Sequence, residues 1–357
     1  MRTIRDAVDR HSVAQPDAPF LLAPEPGTTL AYAGLRVTAQ ALCAELAALG
    51  VRPGEVVSYL LPNGVAAASV FLGAMYGGFV VSPISMLAQD AIIEYNIAHS
   101  ETRVVYAAPE FVERVEAIIA RAGSRAVVRP TSPDGLKLPR ISETPPAGTP
   151  DPRSPALLMY TSGTTGRPKG ALLSHANLIH AGRSVARAHQ LTPADRVLSS
   201  LPLYHVNGQC IGTISPLVSG GSIVMPHRFS VSQWWSLVDA YRPTWLNVVP
   251  TIIAYLLNNA AHAAPQLEAC RNIRFARSAS APLPPELHRA FEARFGISVL
   301  EAMGLTECAS VAFANPLAPS GHRLGSPGKP LGLEARVVAA DGTPLPERGQ
   351  GEIELRG

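Results

Sequence analysis

The chain has 357 residues, 47% of them apolar and 16% charged, with a formal net charge of +3 at pH 7. That length exceeds one ordinary small domain, and the apolar content excludes a disordered chain. The weak charge, with no dense Lys/Arg run, excludes a nucleic-acid binder built on a basic patch. No run of about 20 apolar residues offers a membrane span. Cys43, Cys210, Cys270 and Cys308 show no metal-like spacing and read as reduced, buried thiols of a cytoplasmic protein. The polar N-terminus, "MRTIRDAVDRHS", lacks the apolar stretch of a secretory signal.

Helical and strand patterns alternate from the start. "LRVTAQALCAELAALG" places apolar residues at 35, 39, 42, 46 and 49, a helical stripe that stops at Gly50. "EVVSYLL", "FVVSPIS" and "TRVVYAA" read as buried strands, with "VAAASVFLGAMYGG" and "AQDAIIEYNIAHS" as the helices between them. Strands spaced by helices of this length indicate parallel sheets covered on both faces. Residues 130–155 are rich in Pro, Ser, Thr and Gly and predict a surface connection between two halves. Alternation then resumes. "ALLMY" and "ALLS" read as strands, and "HANLIHAGRSVARAHQ" as a helix capped by Ser174. "RVLSSLPLYH", "GSIVM", "TWLNVVP", "IRFARSAS" and "ISVL" read as further strands. Beyond Gly325, "EARVV" and "EIELR" flank turn signals and predict a β-hairpin. The expected organisation is two stacked βα subdomains, 1–150 and 151–324, followed by the start of a small β-barrel subdomain at 325–357.

Between "ALLMY" and "ALLS" lies the stretch "YTSGTTGRPKG", Tyr160–Gly170. It is not the P-loop pattern, because no Lys-Ser or Lys-Thr closes it. Its glycines allow backbone amides to converge on an anion, its hydroxyls can donate to phosphate oxygens, and Lys169 supplies a point charge. Composition alone fits a solvated surface loop equally well.

Five stretches together resemble the adenylate-forming superfamily of acyl-CoA synthetases, aryl-CoA ligases, luciferases and nonribosomal-peptide adenylation domains. They are "YTSGTTGRPKG", "LPLYHVNG" (Leu201–Gly208), "SASAPLPPEL" (Ser278–Leu287), "EAMGLTE" (Glu301–Glu307) and "GEIELRG" (Gly351–Gly357), in the family's order. The resemblance implies an α/β fold and an enzyme that activates a carboxylic acid as acyl-AMP with ATP and Mg²⁺. The acyl group then passes to CoA or, alternatively, to a carrier protein.

By the same resemblance, Thr161, Ser162, Gly163, Thr164, Thr165, Gly166 and Lys169 hold the β- and γ-phosphates. Thr306 bonds the α-phosphate and Glu307 holds the metal. Ala279, Ser280 and Ala281 wall the adenine, with Met303 and Gly304 beside it. Met303 departs from the aromatic residue usual there and offers a polarisable sulfur to the purine face instead. His205 occupies the gate of the acyl site and, with Lys169, Thr306 and Glu307, completes the catalytic group. Val206, Asn207 and Ile211, then Ala279, Gly304, Ser310 and Val311, line the acyl pocket. Their small or apolar character predicts a hydrophobic acid. No Asp stands where amino-acid-activating members grip an amino group.

The family's Thr-Gly-Asp motif, hinge and lysine-bearing C-terminal domain do not occur in these residues. The expectation is the large N-terminal part of a synthetase, inactive or weakly active alone. A naturally shortened, non-catalytic nucleotide- or acyl-binding module is the alternative.

Overall fold

The computed structural model describes residues 1–139, 149–161, 168–259, 268–317 and 322–357. The chain opens with α1 (Ile4–Ala14), closed by a capping box in which Thr3 Oγ1 accepts from Asp6 N and the Asp6 carboxylate accepts from Thr3 N. β1 (Pro19–Ala23) and β2 (Thr28–Ala31) follow as an antiparallel pair. Next come α2 (Tyr32–Ala48), β3 (Val56–Leu60), α3 (Val65–Tyr76), β4 (Val80–Pro83), α4 (Asp90–His99), β5 (Val104–Ala107), α5 (Val112–Arg121) and β6 (Val127–Pro130). β7 (Pro155–Thr161) and β8 (Lys169–Ser174) lead into α6 (His175–Ala188) and β9 (Arg196–Ser199). A wide π-helical turn (Asn207–Ile214) precedes α7 (Ser215–Ser219), β10 (Ser222–Val224), α8 (Val231–Tyr241), β11 (Trp245–Val248) and α9 (Pro250–Asn258). β12 (Phe275–Ser278), α10 (Pro285–Phe295), β13 (Val299–Met303), β14 (Phe313–Ala314) and β15 (Lys329–Pro330) come next, then β16 (Glu334–Val338) and β17 (Glu352–Arg356).

The strands form two large sheets. A six-stranded sheet runs β6, β5, β3, β4, β7, β8, parallel except for the last pair. A nine-stranded sheet runs β15, β14, β13, β12, β11, β9, β10, β1, β2, with parallel pairing except for the antiparallel pairs β1–β2, β13–β14 and β14–β15. One apolar core fills the space between the sheets. Tyr59 and Val81 from the first and Trp245, Phe275 and Leu300 from the second meet α2, α3 and α6 there. α4 and α5 cover the outer face of the first sheet, and α8, α9 and α10 that of the second. Strands buried on both faces read as unbroken apolar runs, as in β4 and β5, where every residue is buried. The expected α/β architecture of mostly parallel, helix-covered sheets is the one observed.

Two particulars differ from the sequence expectation, and a third agrees with it. Position 150/151 does not divide the sheets: β1 and β2 pair into the nine-stranded sheet through β10, while β7 and β8 close the six-stranded one. Periodicity reveals a strand but not the partner it finds. The apolar run "RVLSSLPLYH" is strand only over β9, then turns out of the sheet at Ser200–Tyr204. The C-terminal hairpin forms as expected, with Ala335 opposite Leu355, but no closed barrel occurs among the described residues. None of the four cysteines forms a disulfide among the described residues. No described helix is long and apolar enough to cross a membrane.

Candidate active site

The Gly/Ser/Thr-rich stretch is mounted on the antiparallel pair β7–β8, where Thr161 stands opposite Lys169 and its Oγ1 donates to Lys169 O at 3.4 Å. Ser162, Gly163, Thr164, Thr165 and Gly166 lie outside the described residues. Lys169 is exposed. Below them Tyr160 Oη sits 2.8 Å from His99 Nδ1 on α4, and burial pushes the phenol up to about 12, so it is neutral. The pair is thereby pinned to the first sheet.

Thr306 and Glu307 sit in the connection between β13 and β14, which packs against β8. The connection is shaped by backbone geometry. Ala309 and Ser310 both adopt left-handed φ, at 53° and 68°. Ser310 N donates to Leu305 O at 2.8 Å, and Ala309 N to Thr306 O at 3.0 Å. Gly304 faces this turn so closely that a Cβ would lie 2.2 Å from Ser310 O. Thr306 is half-buried and Glu307 exposed, while Ser310 and Val311 are buried. Asn315 Nδ2 ties the strand back to Glu301 O at 3.2 Å and Ser326 O at 2.6 Å.

The segment after β12 carries Ala279, Ser280 and Ala281. Ala279 is buried with Ala302, Ala314 and Leu331, whereas Ser280 and Ala281 are exposed, and Ser280 holds φ 75°. Ser280 Oγ accepts from Asn207 Nδ2 at 3.1 Å, so the segment expected beside the adenine and the segment expected at the gate meet directly. Met303 is half-buried opposite Phe313.

The gate is held from the first sheet. Tyr59 Oη donates to Leu203 O at 2.6 Å, and Asn63 clasps the loop, donating to Leu201 O at 3.0 Å and accepting from Leu203 N at 2.9 Å. His205 is exposed beyond this clasp, with its ring 5.2 Å from that of Tyr204. The protein around it withholds enough solvent to lower its pKa. Val206 is half-buried, and Ile211 is fully buried in the core between the sheets.

A cleft of about 510 Å³ opens between α6 and the C-terminal hairpin. It touches the candidate site at Glu307 and Val311 and is otherwise lined by other residues, including His180, Gly332 and Ile353. His288 and Glu292 on α10 and His322 in the segment after β14 bring ligand atoms within 4.8 Å of one another, but Glu292 Oε1 already accepts from Val299 N at 2.8 Å.

One polar group went unmarked in the sequence. Asn247 Nδ2 donates to Ser199 Oγ and Asn207 Oδ1, each at 3.2 Å, and Asn247 pairs in register with Arg277 on β12. "IRFARSAS" carries two arginines. Arg274 bonds Asp195 at 2.6 Å, while Arg277 is 2% exposed and its Nε and Nη1 find no hydrogen-bond partner among the described residues. A charged residue inside a buried strand was the available signal.

The chain matches the AMP-binding enzyme family over residues 8–357. It belongs to that family. It is 50% identical over 346 residues to a sulfoacetate–CoA ligase of Cupriavidus necator, covering 96% of this chain and 67% of that protein. It is 32% identical over 324 residues to an oxalate–CoA ligase of Arabidopsis thaliana, covering 86% of this chain and 62% of that protein. Among family structures, ATP-bound MatB from Rhodopseudomonas palustris superposes with a TM-score of 0.86 at 29% identity, over 99% of this chain and 70% of that one. The chain therefore spans about two thirds of the length of these relatives.

Proposed function

We propose that the protein is an ATP-dependent acid–CoA ligase. A substrate carboxylate oxygen attacks the α-phosphorus of ATP, the bond to pyrophosphate breaks, and acyl-AMP forms. The thiol of CoA then attacks the acyl carbon, AMP leaves, and a thioester results. The observation that carries this reading is the packing of the Thr306–Glu307 connection against β8, at the exit of the Gly/Ser/Thr-rich stretch, in a chain of the AMP-binding enzyme family.

In this reading the stretch from Thr161 to Lys169 cradles the β- and γ-phosphates, and Thr306 bonds the α-phosphate. Fixed donors there stabilise charge that develops as pyrophosphate departs. Glu307 suits Mg²⁺, since it presents an exposed carboxylate beside β8 and a hard cation takes oxygen donors. When bound, the ion neutralises charge on the polyphosphate. Ala279 to Ala281 and Met303 flank the adenine, and His205 guards the mouth of the acid site. CoA is the proposed acceptor because both curated relatives are named for it.

The expected restriction to hydrophobic acids is withdrawn. Sulfoacetate and oxalate, for which those relatives are named, are short and strongly polar. The inference from apolar lining failed because Ile211 and Val311 serve the packed interior, while Asn207, Ser280 and Ser310 bring polar groups to the same place.

The test is product analysis with the protein at its natural length, ATP, Mg²⁺, CoA and a panel of short and aromatic acids. AMP, pyrophosphate and a CoA thioester are expected with at least one acid. Formation of ADP and phosphate, or ATP cleavage indifferent to acid, would overturn the reading.

A further inference from the structure

β12 carries a charge into the interior, and no acidic side chain among the described residues forms an ion pair with it. Arg277 is 2% exposed, and its Nε and Nη1 are enclosed without hydrogen-bond partners among the described residues. The nearest acid along the sheet, Glu301, stands opposite Ser278, whereas Arg277 stands opposite Leu300. Alternation along the strands therefore sends the two side chains to opposite faces. His189, which lies over the same face against Trp245 and Phe275, is held neutral by burial, its pKa pushed down to about 3. It offers no negative charge either. Burial lowers Arg277 to about 10, which leaves it cationic at neutral pH.

The surroundings place this cation under the candidate acid site. Arg277 precedes Ala279 by two residues and so shares its face, about 7 Å deeper along the strand. Its registered neighbour Asn247 bonds Asn207, which in turn bonds Ser280, and the amide oxygen of Asn247, Oδ1, also lacks a partner among the described residues. A buried unpaired charge is costly, and an incoming anion that pairs with it recovers that cost.

We infer that Arg277 recognises a second anionic group, carboxylate or sulfonate, on a short acid whose reacting carboxylate lies at the level of Ala279 and Ser280. This rests on the acid–CoA ligase reading and narrows it to a substrate class. The guanidinium fork matches two oxygens of either anion. An acid without that group leaves the cation enclosed and unpaired, so the site selects against monoanions. The separation of about 7 Å suits a chain of a few atoms, not a long acyl tail.

The experiment compares malonate, sulfoacetate and propionate as substrates of the protein at its natural length, in wild type, Arg277→Met and Arg277→Lys. The readout is acid-dependent pyrophosphate release. Wild type is expected to prefer malonate or sulfoacetate over propionate in kcat/KM by about 100-fold. Arg277→Met is expected to erase that ratio, chiefly through KM, and Arg277→Lys to restore part of it. The faster of the two dianions identifies carboxylate or sulfonate as the second group. Arg277→Met, freed of an uncompensated charge, is also expected to melt no lower than wild type without ligand, and malonate or sulfoacetate to raise the melting temperature of wild type only. A wild type that uses propionate as well as both dianions overturns the inference while leaving the ligase reading intact. An unchanged ratio in Arg277→Met overturns it as well. Absence of pyrophosphate release with every acid instead defeats the ligase reading itself.

Discussion

Single residues set the form of the connection between β13 and β14. Gly304 is required because any side chain would strike the backbone carbonyl of Ser310, 2.2 Å from a Cβ. Backbone cannot swing aside as a flexible side chain can, so Gly304→Ala must displace the Ser310 turn and with it Thr306. A shift of that kind in a positioning element costs about 100-fold in rate. The expected result is a fall of that order in acid-dependent pyrophosphate release, with a stability loss of about 1–3 kcal/mol in urea unfolding. Unchanged turnover in the variant would show that the turn does not position reacting groups. Gly304 was marked in the sequence through its motif, whereas the reason for it, two successive left-handed residues at Ala309 and Ser310, was not visible there.

At the scale of elements, the gate loop is governed from the other sheet. Asn63, in the turn between β3 and α3, donates to Leu201 O and accepts from Leu203 N, and it is 4% exposed. Asn63→Ala leaves both loop groups buried without partners, at a cost of about 1–3 kcal/mol. Lower stability together with a raised KM for the acid is the expected outcome; a stability loss with KM unmoved would confine Asn63 to a structural role. The sequence could not announce this residue, because "PNG" reads as an ordinary turn and its partners lie 138 and 140 positions away. Elements themselves were legible. The capped helix at Ser174, the buried strands β3 to β5 and the C-terminal hairpin all follow from local pattern. Partnership was not: nothing local tells β1 to lie beside β10, or the β7–β8 pair to join the first sheet. The polar group of Asn247 and Arg277 escaped notice for the same reason, since it arises only where β11 and β12 come into register.

Over the whole molecule, the shared core between the sheets makes stability depend on pH. His175 and His189 are buried in or beside it, with pKa values pushed down from 6.5 to about 4 and about 3. In the unfolded chain both take protons near 6.5, so the unfolded state binds more protons at any pH between the two values. Stability is therefore fully present above pH 6.5 and is lost as pH falls, by about 1.4 kcal/mol per unit for each histidine. Urea midpoints should decline steeply from pH 6.5 to 4, and His189→Asn should shallow that decline by about one proton. An identical slope in the variant would remove His189 from the effect.

The central claim is that an acid is activated as its adenylate before CoA takes part, and ATP–pyrophosphate exchange tests it most directly. The protein at its natural length is supplied with ATP, Mg²⁺, labelled pyrophosphate and malonate or sulfoacetate, without CoA. Label is expected to enter ATP only when acid is present, and to be lost in a Glu307→Ala variant. Label entering ATP without acid, or none entering with any acid while a CoA thioester still forms, would contradict the claim.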